Sequence, residues 1–542
     1  MKGLIRINHF QGRDYINILF WHGYYLHGSG SNIFALNISR EFSKKHRVFL
    51  FSQENNFEYI EGVKNFITLD ERGDTKDEKS FSSTGFTAVR PHIGELLPVF
   101  VYDDYEGFKV KIAPDLTNEE LERYIEHNVI SLVSFIEKNN VDIIYANHFA
   151  IAPYIMKKVK EITGTPYIII GHGSSLNYTV AKDERYMELS YEGFLDAESI
   201  VIQSEYIKKR CKEVYGKYKS FFDGPKIKIV PAGVNLEQFK TDFTKEQFNE
   251  IARRKVLSSK GTTSLVNKIL FEKAQGETCI ENLYELILDT EKNADYREFD
   301  RDLVEKIPEI GEDEKGICYV GKLIISKGVQ LLIMSLPYIF RESPKTVVSI
   351  IGYGKFRYPL ELLSNALITG NKNLVEMIIE NGRYLENGHE KEPLELCKAF
   401  WEKLRENGKI NEYMELASRI PKDKVVFTGK LDHDTLPYIL QQNHMIIIPS
   451  IFPESFGMVC AEGMALGLVP VTMNHSGLKE VIPFEDNLVD LDENVIESLT
   501  AKVNLNLKKL KEDKNLPHRF IEEGHKYSFE EVANNILKLY TP

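Results

Sequence analysis

The sequence predicts an α/β fold with parallel sheets in two or more domains. Short β-branched runs alternate with amphipathic helical stretches along most of the chain, which is typical of βαβ units. At 542 residues the chain exceeds what one hydrophobic core usually holds. Its clearest unit is a buried strand over 445–448, a turn containing Gly457 and a helix that starts about there.

The N-terminal part opens with such a unit. A strand over 16–21 is followed by the glycine-rich turn Gly28-Ser29-Gly30-Ser31-Asn32, a helix to about residue 45 and a strand over 47–51. The turn lacks the third glycine of a dinucleotide fingerprint, and Gln53 stands where an acidic residue would hold the ribose. We therefore do not expect NAD.

Histidines follow two later strands of this part. The strands over 143–146 and 167–170 end in turns that carry His148 and His172. In a parallel sheet the ligand crevice lies beyond the carboxyl ends of the strands. Both histidines are thus site candidates, His148 facing an acceptor, although a satisfied structural role remains open for each.

Three further stretches are expected to lack core strands. Residues 70–107 are polar and irregular, least structured over 75–84, and predict a long loop for acceptor recognition. Residues 240–315 and 358–423 are helix-prone. The role of the second of these, over 358–423, stays open between oligomer contact, a lid and simple bracing.

The stretch over 453–467 carries the strongest chemical signal. The helix after Gly457 offers unpaired N–H groups and a positive dipole end, which suits an anion such as phosphate. Glu454 precedes this helix and Glu462 lies about a turn inside it, so both can reach one bound molecule. Carboxylates accept hydrogen bonds from sugar hydroxyls strongly. The alternative is that both merely cap the helix.

This stretch resembles the retaining, nucleotide-sugar-dependent glycosyltransferases of family 4, which have the GT-B fold. Their two glutamates, separated by seven residues with Phe-Gly between, match Glu454 and Glu462. The resemblance implies that Glu454 contacts the donor sugar and that Glu462 holds the ribose. It implies further donor-binding residues on the same stretch, namely Ser455, Phe456, Gly457, Met458 and Val459.

Other positions fit the same family. The resemblance implies that Gly28, Gly30 and Asn32 face the donor diphosphate, that His172 contacts the donor sugar, and that Lys327 and Lys322 bind the diphosphate. Many relatives have arginine where Lys322 stands; a lysine supplies a point charge without the planar fork. On the nucleotide side the implied residues are Gly354, Gly429 and Lys430.

The implied organisation is two Rossmann-like domains that face each other across a cleft. Residues 1–230 would form the acceptor-side domain and residues 231–520 the nucleotide-sugar domain, with helical insertions at about 240–315 and 358–423. A C-terminal helix over 521–542 would cross back to the first domain.

The implied reaction transfers a hexose from a nucleoside diphosphate sugar to a hydroxyl with retention, by a metal-independent front-face mechanism without cofactor. Alternatives are a phosphorylase that uses pyridoxal phosphate, a sugar-nucleotide epimerase of the same fold and a non-catalytic sugar-nucleotide-binding or scaffold protein.

Composition limits the partners. The formal net charge of −12 argues against nucleic acid and favours a soluble acceptor, such as a sugar or sugar phosphate. The sequence contains no apolar run of about 20 residues and no signal-peptide pattern, so we expect a cytoplasmic protein. The donor base, the acceptor and the oligomeric state stay open.

Overall fold

The computed structural model describes residues 15–26, 30–55, 57, 60–100, 105, 107–239 and 242–540. The chain divides into two compact units, residues 1–233 with 527–542 and residues 234–526. Each unit is built on a largely or wholly parallel sheet with helices between the strands. The predicted α/β fold with two parallel-sheet domains is confirmed.

The N-terminal unit is organised by a sheet of strand order β11-β10-β9-β8-β1-β2-β5-β3-β4. Only the β3–β4 pair of this sheet is antiparallel. A separate parallel pair joins β6 to β7. The elements are β1 (Asn17–Trp21), α1 (Gly30–Ser43), β2 (Arg47–Phe51), β3 (Val63–Leu69), β4 (Thr75–Ser80), β5 (Phe86–Arg90), β6 (Leu96–Val99), β7 (Lys109–Ile112), α2 (Asn118–Asn139), β8 (Ile143–Asn147), α3 (Ala152–Thr163), β9 (Tyr167–Ile170), α4 (Gly173–Ser175), α5 (Glu184–Asp196), β10 (Ser199–Ile202), α6 (Glu205–Val214) and β11 (Ile227–Ile229).

The predicted irregular loop over 70–107 is wrong. This stretch contains β4, β5 and β6, and β5 is a central strand between β2 and β3. The polar run over 75–84 resembles a loop because it contains β4, which is the edge strand and has every one of its residues exposed. A strand without a buried face lacks the apolar alternation that identifies strands from sequence.

Local sequence explains the helices well. At the start of α2, Thr117 accepts a hydrogen bond from the N–H of Glu120, whose carboxylate accepts one from the N–H of Thr117. This reciprocal cap satisfies two backbone donors that the helix leaves open. The central strands β1, β8 and β9 are buried along their whole length, as their continuous apolar runs predict.

The C-terminal unit has the sheet order β14-β13-β12-β15-β16-β17, and all of these pairs are parallel. Its elements are α7 (Lys245–Val256), α8 (Ser264–Ala274), α9 (Ile280–Asn293), α10 (Leu303–Lys306), β12 (Lys315–Val320), α11 (Val329–Glu342), β13 (Thr346–Ile351), α12 (Arg357–Thr369), α13 (Lys372–Glu380), α14 (Gly382–Asn387), α15 (Glu395–Glu406), α16 (Ile410–Ser418), β14 (Val425–Gly429), α17 (Leu436–Gln442), β15 (Met445–Ile448), α18 (Met458–Ala465), β16 (Val469–Met473), α19 (Leu478–Val481), β17 (Leu488–Val489), α20 (Val495–Glu512) and α21 (Leu516–His525).

The last helix, α22 (Phe529–Leu537), belongs to the N-terminal unit. Phe529 packs with its ring centroid 6.1 Å from that of Phe34 on α1. In the described part of the chain, no helix is long and apolar enough to cross a membrane.

Candidate active site

The stretch with the strongest chemical signal forms a strand, a loop and a helix in the C-terminal unit. Strand β15 ends at Ile448, Glu454 lies on the loop, and α18 begins after Gly457. Gly457 has φ +119°, a conformation that side-chain-bearing residues rarely adopt. Glu462 is the fifth residue of α18 and is buried at 4% exposure. The predicted placement of both glutamates relative to the helix is confirmed.

A ring of hydrogen bonds fixes the Glu454 loop. Ser450 donates from Oγ to Glu454 Oε1 at 2.8 Å, and the N–H of Glu454 donates to Ser476 Oγ at 3.0 Å. His475 Nδ1 lies 3.0 Å from Ser476 Oγ, and His475 Nε2 lies 2.8 Å from the carbonyl of Ser450. The carbonyl can only accept, so Nε2 carries a proton and Nδ1 can accept from Ser476. The loop is therefore held before any ligand binds.

Gly477 completes this support by close packing. Its N–H donates to the carbonyl of Glu454 at 2.9 Å. A Cβ at this position would overlap the carbonyl oxygen of Ser455, so only glycine fits. The neighbouring Ser476 has φ +53°, a left-handed conformation that residues with a side chain rarely adopt.

The two predicted phosphate-binding lysines differ in their surroundings. Lys327 forms an ion pair with Glu454, which joins the loop after β12 to the loop after β15. Lys322 is exposed and, within the described ranges, has no ion pair. Lys327 thus orients Glu454, whereas Lys322 keeps its whole charge available.

Glu462 has a partner that sequence reasoning left out of the site. His433 Nε2 lies 3.4 Å from Glu462 Oε1. Burial lowers the pKa of His433, but the hydrogen bond to Glu462 and the charges of Glu462, Asp432 and Asp434 outweigh burial and raise it above 6.5. The sequence contains a signal for His433, because the run Asp432-His433-Asp434 comes shortly after the end of β14 at Gly429. Residues that follow parallel strands line ligand crevices.

The remaining predicted residues of this unit are placed as follows. Phe456 is buried, while Ser455, Met458 and Val459 are half-buried around the start of α18. Gly354 follows β13 and packs against the backbone of Leu323. Gly429 ends β14 with φ +77° beside Asp300, and the Lys430 Nζ lies 5.1 Å from the centroid of the Phe299 ring.

Both helix-rich stretches contact loops of this site. In the stretch over 358–423, Glu386 on α14 accepts a hydrogen bond at 2.8 Å from the N–H of Ile325, two residues before Lys327. In the stretch over 240–315, Lys255 on α7 contacts Asp432 and Asp434 at 2.9 Å each, on either side of His433. These contacts brace the loops that carry Lys327 and His433.

Buried charges also join these two stretches. Arg357 makes a bidentate pair with Asp300, at 2.7 and 2.6 Å, and its Nε donates to Glu361 at 2.8 Å. Lys306 pairs with Asp300 as well. Arg357 and Asp300 are fully buried, so each charge depends on its partner. The carboxylate of Asp300 in this cluster packs against Gly429.

The N-terminal unit brings its candidate residues together around His22. His22 Nε2 lies 3.0 Å from Asn32 Oδ1, and its Nδ1 lies 3.0 Å from Asn147 Nδ2. The ring of His148 is 5.6 Å from that of His22 and 5.0 Å from that of His172. Gly30 is the exposed first residue of α1, whereas Gly28 lies outside the described residues.

These histidines are neutral at neutral pH. Burial lowers the pKa of His22 to about 4 and that of His172 to about 3, and it lowers that of His148 as well. Both ring nitrogens of His148 and Nε2 of His172 are buried without a hydrogen-bond partner in the described part of the chain. His148 also has φ +77°. Unpaired buried polar atoms and backbone strain of this kind are more frequent at functional sites than elsewhere in proteins.

Sequence reasoning missed His22, although it directly follows Trp21 at the carboxyl end of β1. It also missed Glu386 and Lys255, for which no local signal exists. Among the described residues, no group of three or more histidine, cysteine, aspartate or glutamate side chains is placed to hold a metal ion.

Comparison with known proteins gives matches to parts of the sequence. The family profile of Glycosyl transferases group 1 matches residues 408–527, which include Gly429, His433, Glu454 and Glu462. An uncharacterized glycosyltransferase of Methanocaldococcus jannaschii, MJ1607, is 29% identical over 179 residues. This match spans 33% of the chain and 32% of that relative.

Solved structures show the same fold. A glycosyltransferase from Rickettsia africae has a TM-score of 0.54 at 13% identity, covering 97% of this chain and 98% of its own. HepE of Anabaena has a TM-score of 0.50 at 11% identity, covering 96% of this chain and 99% of its own. The fold is GT-B.

Proposed function

We propose that this protein is a retaining hexosyltransferase that moves a hexose from a nucleoside diphosphate sugar to a hydroxyl acceptor. The observation that carries the proposal is the arrangement around α18. A helix N-terminus, a lysine and two carboxylates gather at one edge of a parallel sheet. The helix N-terminus and the lysine suit a diphosphate, and the two carboxylates suit the hydroxyls of ribose and hexose.

The leaving diphosphate is the charge that the site must stabilise. Lys322, Lys327 and the N–H groups at the start of α18 supply fixed positive charge for it. Lys327 is already paired with Glu454, so its position is set before the donor arrives. A preorganised cation costs little reorganisation during the reaction, which makes it effective in the transition state.

The sugar and the nucleoside need positioning. Following the family resemblance, Glu454 holds the hexose ring and Glu462 holds the ribose, while the loops at Gly354, Gly429 and Lys430 accept the base. His172 is assigned to the donor sugar and His148 to the acceptor. A neutral histidine can donate and accept one hydrogen bond each, which suits hydroxyl groups.

A front-face displacement suits this set of residues. The departing phosphate oxygen takes the proton of the acceptor hydroxyl as that hydroxyl attacks the same face of the anomeric carbon. No enzyme nucleophile and no metal enter this step. The solved structure of HepE is a complex with UDP, which supports a nucleoside diphosphate as the product held by this fold.

Thermal stabilisation tests the proposal. UDP, GDP and ADP, with their glucose conjugates, are added to the purified protein and to the Glu462→Ala and Glu493→Ala variants. A ligand that binds only the folded state at about 100 times its Kd stabilises that state by about 2.7 kcal/mol. We expect one nucleotide to stabilise the wild type and Glu493→Ala, whose changed residue is exposed, but not Glu462→Ala. No stabilisation by any nucleotide would favour a scaffold protein.

Acceptor dependence separates the transferase from an epimerase. An epimerase consumes or inverts the donor without an acceptor, whereas the proposed enzyme consumes it rapidly only with a soluble sugar or sugar phosphate present.

A further inference from the structure

A cavity of about 650 Å³ lies in the C-terminal unit, between helix α8, helix α12 and the edge strand β14. We call it the insertion cavity, defined by Asn267 and Phe271 on α8, Glu361 and Ser364 on α12, and Phe427 on β14. It shares no lining residue with the Glu454 loop or α18. It is therefore separate from the proposed donor site.

Three side chains in the wall of this cavity are largely buried, and each keeps one polar atom without a protein partner in the described part of the chain. Asn267, Ser364 and Glu361 are 8%, 6% and 3% exposed. Asn267 accepts a hydrogen bond from Thr262 through Oδ1, and Glu361 accepts one from Arg357 through Oε1. Within the described part of the chain, Asn267 Nδ2, Glu361 Oε2 and Ser364 Oγ have no hydrogen-bond partner. None of the three belongs to the fully buried atoms without a partner, so each keeps contact with the cavity and can bind a ligand that enters it.

The chemistry of these atoms indicates which ligands fit. The amide nitrogen of Asn267 donates, Glu361 Oε2 accepts, and the hydroxyl of Ser364 can do either. A hydroxyl group donates and accepts at once. A ligand with several hydroxyls can therefore satisfy all three side chains.

The charges of the cavity favour a neutral ligand over an ionic one. Among the described residues that line it, three are basic and three are acidic: Lys268, Lys306 and Lys422 against Glu272, Glu361 and Asp423. On the floor, Lys306 is paired with Asp300 and Glu361 with Arg357. A phosphate or a nucleotide would find no net positive charge here.

Part of the wall is apolar. Phe271 and Phe427 line the cavity together with Ile368, Val425 and Val426. The C–H faces of a sugar ring pack against apolar and aromatic surfaces, while its hydroxyls reach polar side chains. A volume of several hundred Å³ is in the range of small-molecule sites.

We propose that the insertion cavity is a second binding site, for a neutral saccharide, separate from the donor site. The saccharide places its hydroxyls on Asn267, Ser364 and Glu361 and its apolar face on Phe271 and Phe427. The two helix-rich stretches thereby form a sugar-binding site in addition to bracing the loops.

Saturation-transfer NMR on the full chain tests this proposal, with D-glucose, D-galactose and maltose as probes. The host protein carries Glu454→Ala, because Glu454 is the residue that we assign to the hexose at the donor site. Asn267→Asp keeps the acceptor for Thr262 but removes the amide donor, and Ser364→Ala removes one hydroxyl from a helix. Leu265→Ala is the matched control, because Leu265 is on α8 but 66% exposed and outside the cavity.

We expect saturable binding of at least one probe to the host and to Leu265→Ala. Binding should weaken about tenfold in Asn267→Asp and in Ser364→Ala, which corresponds to about 1.4 kcal/mol. The proposal is overturned if no probe binds the host, if both cavity variants bind as the host does, or if inorganic phosphate displaces the sugar. Thermal melts of each variant establish that it is folded.

Discussion

Lys327 and Glu454 are 127 residues apart in the chain, yet they form an ion pair at the ends of the neighbouring strands β12 and β15. The pair joins a cation suited to phosphate with a carboxylate suited to a sugar. Ser450 holds the same carboxylate oxygen of Glu454 from the other side. The geometry of both groups is thus set by the fold itself.

Replacing Lys327 should impair turnover strongly. In Lys327→Ala, the carboxylate of Glu454 keeps only Ser450 as a partner among the described residues, and the leaving group loses a positioned charge. We expect kcat/KM to fall by about 10²–10³-fold, as when one preorganised donor is removed. Lys322→Ala is the comparison: it should weaken nucleotide binding but leave the melting temperature unchanged, because Lys322 is exposed. Wild-type kinetics in Lys327→Ala would contradict this role.

The hydrogen bond from the helix-rich stretch over 358–423 to the Lys327 loop can be tested by itself. Glu386→Ala removes the acceptor for the N–H of Ile325 and frees the Lys327 loop to move. We expect kcat/KM for the donor to fall about ten- to hundredfold, since small displacements of positioned groups are costly. Glu390→Ala, which changes an exposed neighbour, should behave as the wild type in the same steady-state assay. Equal behaviour of the two variants would leave Glu386 without a positioning role.

Nucleotide binding should depend on pH through His433. The pKa of His433 is raised above 6.5, so its positive charge and the associated stability are fully present below pH 6.5 and are lost as pH rises through the raised pKa. We expect nucleotide affinity to fall as pH rises through the pKa of His433. The negatively charged nucleotide then binds beside Glu462 without the positive charge of His433. Calorimetric titration of His433→Gln should show a flatter pH profile. An unchanged profile would assign the dependence to another group.

Acid should destabilise the protein through the buried histidines. Folding lowers the pKa of His22 from 6.5 to about 4, so its contribution is complete above pH 6.5 and is lost as pH falls towards 4. Each such histidine changes the free energy of unfolding by up to about 1.4 kcal/mol per pH unit. Urea denaturation across this interval should show a smaller slope for His22→Gln. An identical slope would show that His22 takes up no proton on unfolding there.

Gly477→Ala should distort the Glu454 loop without touching a ligand. The added Cβ would overlap the carbonyl oxygen of Ser455. We expect a loss of about 1–3 kcal/mol in unfolding free energy, as for other overpacked sites, and a loss of nucleotide binding. Gly276→Ala is a suitable control, because a Cβ there meets no atom within 4 Å. Denaturant melts with and without nucleotide measure both effects, and full binding by Gly477→Ala would be inconsistent with this support.

Much of the fold and of the Glu454 loop could be predicted from the sequence, because the residues that determine them are neighbours in the chain. The strand ending at Ile448, the turn at Gly457 and the position of Glu462 in α18 follow from residue type and spacing. The reciprocal cap of Thr117 and Glu120 has an equally local cause.

The rest depends on contacts between distant residues. Glu386 and Lys255 are ordinary charged residues of helices, and only the folded chain brings them to Ile325 and Asp432. The exposed edge strand β4 has no buried face, so its sequence resembled a loop. His22 was overlooked because a lone histidine after a strand differs little from a structural one.

The most direct test of retention is NMR of the anomeric proton during turnover. The donor identified by thermal stabilisation, as its α-linked glucose conjugate, is incubated with an acceptor, and the first product is observed before any anomeric exchange. We predict an α-linked product whose formation requires the acceptor and is lost in Glu454→Gln. A β-linked product, or donor consumption that is indifferent to both the acceptor and Glu454, would contradict retaining transfer at this site.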